Sequence, residues 1–187
     1  MRMKWLTVSL ALALAASAHA SFTVIKGIDN WNAAVGPCTT LDFVFPTPQI
    51  MGDQYASVGA VFPEGNEFAY LEDDPDLFQQ DGWGCTAYDG GIDITFLWPQ
   101  YAIGAWFPGD LKVKLYWQDQ LIYTSPALGT PLVDYQYGGV LSSQPFDRIV
   151  FYDAGVFVDD ILFVPGPGAV GLLALAGAAA GRRRRDA

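Results

Sequence analysis

Histidine is almost missing from this chain. The only one, His19, lies within the first twenty residues. Beyond that point there is no imidazole, which removes Ser-His-Asp and Cys-His nucleophile pairs, His-ligated zinc and two-His iron sites. Positive charge is nearly as scarce. Between residues 21 and 164 the bases are Lys26, Lys112, Lys114 and Arg148, against 19 of the chain's 20 carboxylates, a net charge of −15 for that segment. Phosphate backbones and anionic lipid headgroups need cationic surface, so this balance argues against nucleic acid and against acidic membrane as partners. Calcium, neutral sugars and simple solubility outside the cell are compatible with it. Cysteine occurs only at 38 and 85, never as a CxxC pair. There is no GxxxxGK[ST] and no strand-linked GxGxxG, so the common phosphate cradles are absent. No stretch of the body keeps a 3.6-residue apolar period over ten positions.

What is present reads as strands and turns. Thr39 to Phe45 is β-branched and aromatic and stops at Pro46; Tyr55 to Phe62 stops at Pro63; Phe68 to Leu71 is short. Gly91 to Phe96 alternates apolar and polar residues. So does Lys112 to Trp117, which sets Val113, Leu115 and Trp117 on one face. Tyr101 to Phe107, Leu121 to Thr124, Leu132 to Tyr137, Arg148 to Tyr152 and Val156 to Phe163 complete the set. Trp117 to Leu121 has the look of a hairpin turn, and Gly or Pro punctuates every gap. Glu72 to Gly91 is the longest strand-poor stretch. Short strands at roughly 8–12-residue spacing, with no helices between, predict an all-β fold, a single antiparallel β-sandwich over residues 21–164. Its 144 residues are enough for one real core.

The two ends differ from this body. Arg2 and Lys4 precede an apolar stretch, Leu6 to Ala18, and Ala18-His19-Ala20 is a small-x-small cleavage site before Ser21. That is the layout of a secretory signal peptide over residues 1–20. At the other end, Pro165-Gly166-Pro167-Gly168 is followed by an apolar run to Gly181 and then Arg182-Arg183-Arg184-Arg185. The prolines stop any preceding strand. Gly168 to Gly181 is 14 residues, roughly 21 Å as a helix, short of a hydrocarbon core of ~30 Å. Four arginines hold their end of such a helix on the cytoplasmic side. Turn, apolar helix and arginine cluster over residues 165–187 resemble the PEP-CTERM sorting tail, with Gly166 standing where that family has Glu. The resemblance implies export through signal peptidase, a temporary inner-membrane anchor, and handling by exosortase-type machinery that leaves the body in the cell envelope or at the extracellular surface.

The body also resembles exported jelly-roll-like modules of the carbohydrate-binding and lectin type. The likeness rests on Thr40-Leu41-Asp42-Phe43, on Asp53-Gln54-Tyr55 with Gly59-Ala60-Val61-Phe62, and on Val158-Asp159-Asp160-Ile161-Leu162-Phe163. In the last strand Asp159 and Asp160 interrupt an apolar run, and alternation turns one of them inward. A buried carboxylate needs a partner, and calcium is a common one outside the cell. The resemblance implies Asp42 as companion in a structural calcium site; a strand edge or backbone N–H donors would satisfy the same aspartates. Glu72-Asp73-Asp74-Pro75-Asp76 with Asp81 is the densest acidic run, without EF-hand spacing, and reads as a solvated loop or a surface calcium site. Trp83, between Gly82 and Gly84, is the indole least committed to a core and the candidate ring for stacking on a sugar. Cys38 and Cys85 allow a single disulfide in an oxidising compartment, worth ~4 kcal/mol in the chain-entropy model, or else remain two thiols.

Taken together the sequence predicts a non-catalytic, exported envelope protein associated with extracellular polysaccharide. A calcium-stabilised carbohydrate-binding module is one alternative. A carboxylate glycosidase is another, since that chemistry needs only two placed acids.

Overall fold

The computed structural model describes residues 20–63, 67–71, 83–87, 91–131, 133, 135–153 and 156–166. The signal-like segment, the acidic run 72–81 and the tail from Pro167 onward lie outside the described residues. Within them the chain runs β1 (Phe22–Lys26), α1 (Ile28–Val35), β2 (Thr39–Leu41), β3 (Gln49–Ile50), a 3-10 turn (Ala56–Val58), β4 (Ala60–Val61), β5 (Glu67–Leu71) and β6 (Trp83–Ala87). It continues as β7 (Ile92–Phe107), β8 (Lys112–Trp117), β9 (Gln120–Thr124), β10 (Gln136–Tyr152) and β11 (Phe157–Pro165). The fold is all-β. These strands form one sheet in the order β3-β5-β6-β11-β7-β10-β8-β9, with β1 on β10, β2 on β11 and β4 on β7, and every pairing is antiparallel.

Three strands change neighbours partway along. β10 meets β1 through Gly138–Ser142 and β8 through Arg148–Tyr152, with register shifts between Leu141 and Arg148. β7 meets β4 at Thr95–Phe96 and β11 from Gln100 onward. β11 meets β6 at Phe157–Val158 and β2 at Ile161–Phe163, with a register shift between Asp159 and Leu162. Bulges of this kind bend strands and raise their twist. The single sheet thereby closes over a shared interior containing Leu41, Phe62, Cys85, Ile94, Ile103, Leu115, Ile149 and Phe163.

Alternation along the same strands builds a second apolar layer. Ala102 faces it while Ile103 faces the main core, and Leu162 and Val164 face it while Ile161 and Phe163 do not. Helix α1 covers this outer face. Sequence periodicity gave no helix, and the finding corrects that: eight residues between Gly27 (φ 84°) and Gly36 (φ 77°) are too few to display a period. Trp31 is the fully buried side chain of α1. Its indole sits over a cross-strand glycine pair, Gly104 opposite Gly139; a Cβ on Gly139 would lie 2.5 Å from Trp31 Cζ3.

Candidate functional site

The bends concentrate polar chemistry at the β8–β9 end of the sheet. Gln118 and Asp119 join these strands with φ of 50° and 63°, a two-residue turn whose twist matches the hairpin. Neither residue is glycine, so the conformation is strained and needs support. Asp147 gives it: both carboxylate oxygens accept the Gln118 N–H, at 3.2 and 3.0 Å. Asp147 reaches the turn because it falls in the irregular stretch of β10 between Phe146 and Arg148.

The next residue, Arg148, turns to β7. Its Nε donates to both oxygens of Asp93, at 3.0 and 3.1 Å, and its Nη2 makes a short contact with Oδ2. Asp93 is 6% exposed, and its backbone N–H donates to Oε1 of the fully buried Glu67 at 2.9 Å. The Asp93 hydrogen bonds hold the Arg148 guanidinium above its ordinary pKa, against the opposing effect of burial. The guanidinium also lies over the Tyr116 ring, 5.2 Å from its centroid. Thr95, Phe96, Gln118, Asp119, Asp147 and Arg148 line a cleft of about 140 Å³. That is small beside the ~300–1,000 Å³ of sites enclosing a drug-sized ligand. It presents two carboxylates, a guanidinium with Nη1 uncommitted to Asp93, and an aromatic wall. Such a set can accept from and donate to adjacent hydroxyls of a polyol. At this size the cleft would not enclose a drug-sized ligand.

The aspartates singled out in sequence lie elsewhere, Asp42 and Asp159 each with a tyrosine. Asp159 is 3% exposed; its Oδ2 accepts the Tyr135 hydroxyl at 2.8 Å and its Oδ1 accepts the Asp160 N–H at 2.7 Å. Asp160 stands at φ 42°, in the β11 bulge. Tyr135 stacks on Trp106 at 5.2 Å between centroids. Asp42 is exposed. Its Oδ1 accepts the Tyr55 hydroxyl at 2.8 Å, and that hydroxyl oxygen accepts the Phe43 N–H at 2.7 Å. Burial first, and then the hydrogen bond to Asp42, raises the Tyr55 pKa. Asp42 and Asp160 each adjoin the last β2–β11 pair, Leu41 with Ile161, where that pairing ends. Among the described residues no group of three or more His, Cys, Asp or Glu side chains is arranged to hold a metal ion.

Two expectations are corrected. Trp83 opens β6 and is 8% exposed, with its ring edge-on to Phe45 at 6.4 Å; strand pairing with Leu71 draws it into the fold instead of leaving it in a turn. Cys38 and Cys85 are free thiols. Thr39 pairs with Phe163 and Cys85 with Val158 of the same strand. Five β11 residues at ~3.3 Å each hold the two regions roughly 16 Å apart, beyond the ~7 Å limit between Cα atoms for a bridge. Cys85 is fully buried, and burial followed by the nearby Glu67 carboxylate pushes its thiol pKa well up.

Sequence reasoning missed Asp93 and Arg148. The available signal was a single arginine in a strand of a body so rich in acids, and one acid at a polar position of an otherwise apolar strand. No family model matches the chain, and no curated protein or solved structure matches it either.

Proposed function

We propose that this chain is an exported, non-catalytic envelope protein that associates with extracellular polysaccharide and is sorted through its tail. The observation that carries this reading is the order Pro165-Gly166-Pro167, apolar run, Arg182 to Arg185, beginning at the last residue of β11. The signal-like residues 1–20, with Ala18 and Ala20 at the cleavage site, support export. The acidic body supports a neutral partner, and the cleft between β7, β10 and the β8–β9 turn supplies donors and acceptors suited to sugar hydroxyls. A jelly-roll-like sandwich is the finer fold that this reading favours within the all-β class. The test is replacement of Arg182–Arg185 by Ser with fractionation of tagged protein. Export should continue while inner-membrane retention is disturbed, because the charge bias fixes orientation. Unchanged location and unchanged processing would count against the sorting role.

The second reading, a calcium-stabilised carbohydrate-binding module, is favoured by one observation: Asp42 and Asp160 adjoin the last β2–β11 pair, Leu41 with Ile161, and Asp160 follows the buried Asp159. Millimolar calcium should then raise the melting temperature and chelator lower it by several degrees. An unchanged curve leaves Asp159 to partners within the protein, Tyr135 and the Asp160 N–H among them.

A further inference from the structure

The last described residues are built into the sheet. β11 pairs with β7 through Val164 opposite Ala102 and Pro165 opposite Gln100. Gly166 is buried, and its N–H donates to the Pro99 carbonyl at 2.9 Å. A Cβ on Gly166 would lie 2.9 Å from Tyr101 Cε2, 3.5 Å from Tyr101 Cδ2 and 3.5 Å from the Pro99 oxygen. The backbone of Gly166 is not left-handed, so space, not conformation, makes this position glycine. A glutamate here would push the Tyr101 ring aside and set its carboxylate near a carbonyl oxygen. No base of the body waits there: Lys26 donates to Gly129, Lys112 pairs with Asp153, Lys114 lies over Tyr152 and Arg148 holds Asp93.

We propose that the folded body latches Pro165 and Gly166, the start of the Pro-Gly-Pro motif, and that the sorting machinery gains the motif only when the end of β11 lifts from the bend of β7. The proposal rests on the sorting reading above and adds its regulation. It also accounts for glycine at the middle of the turn. An enzyme that reads a main chain takes it extended, with its N–H and C=O groups free to pair. At Gly166 the N–H is already taken by Pro99, and at Pro165 the strand is still paired with β7. The body's stability at this edge therefore sets how often the turn is offered.

Hydrogen exchange on the full chain tests the latch, and pulse-chase processing in the host tests its consequence. The Gly166 amide should be protected ~10-fold or more over an unstructured amide, the scale of one lasting hydrogen bond. Tyr101→Ala and Gly166→Glu should lose that protection and be processed several-fold faster, while Tyr101→Phe, which keeps the ring, should match the parent in both. An unprotected Gly166 amide in the parent overturns the latch. Lost protection with an unchanged processing rate, in Tyr101→Ala and in Gly166→Glu alike, overturns its control of sorting. If no form of the chain is processed even where the Gly166 protection is lost, the sorting reading fails and the regulatory role falls with it.

Discussion

Arg148→Met removes a guanidinium and keeps most of the side-chain stem. Asp93 then loses every hydrogen bond that Arg148 gave it, on a side chain only 8% exposed. Removing one partner of a fully buried pair costs about 3–5 kcal/mol. Arg148 is 32% exposed and borders a cleft, so solvent screens part of the loss and the expected figure is about 2–3 kcal/mol. The ring contact with Tyr116 contributes about 0.5 kcal/mol of that at an exposed site. For a domain of this size the melting temperature should fall by roughly 5–10 °C. Asp93→Asn keeps the shape and should cost about 1–2 kcal/mol. Because the two residues touch, the double variant should show a coupling of about 1–2 kcal/mol. Urea unfolding followed by tryptophan fluorescence measures all three. Singles within about 0.5 kcal/mol of the parent, or additive singles, would make the pair an ordinary surface salt bridge and refute the reasoning.

Three further outcomes follow from the packing. Cys38, half-buried, should react with a thiol reagent in the folded protein and Cys85 only on unfolding; a disulfide-linked peptide pair would contradict this. Burial raises Tyr55 above its ordinary 10.0, with Asp42 adding to the shift, raises Tyr137, and raises Cys85 above 9.0. The folded state thus keeps protons that the unfolded state has released. The stability from these groups is full below the ordinary values and drains as pH rises past them, by about 1.4 kcal/mol per pH unit for each group. A flat stability from pH 8 to 11 would be the contrary result. Gly139→Ala should destabilise by about 1–3 kcal/mol or more, because its Cβ would meet the Ile103 carbonyl at 2.6 Å and Gly104 Cα at 2.8 Å as well as Trp31; an unchanged unfolding midpoint would show that the glycine pair has slack.

Where a strand has a local pattern, it was readable. Lys112 to Trp117 alternates, and Val113 and Leu115 are buried as that pattern requires; the turn at Gln118-Asp119 follows. Where pairing partners decide, it was not. Pro99 and Pro145 signal breaks, yet both lie inside long strands, β7 and β10. Each falls near a register irregularity, where a missing N–H is tolerated. β6 carries one β-branched residue, Thr86, in Trp83-Gly84-Cys85-Thr86-Ala87, and owes its conformation to β5 and β11 on either side. Thr39 to Phe45 was legible only to Leu41, because Phe43 turns to φ 53° to meet the Tyr55 hydroxyl. At the site, Asp159 was visible as an acid inside an apolar run. Its partner Tyr135 lies 24 residues away, and Arg148 lies 55 residues from Asp93; no local spacing encodes either pair.

The central claim is export followed by sorting through the tail, and intact mass spectrometry of the mature protein from its native host tests it most directly. The account predicts a chain that begins at Ser21 and lacks Arg182–Arg185. A chain from the envelope that still carries residues 1–20 and ends with all four arginines would contradict it.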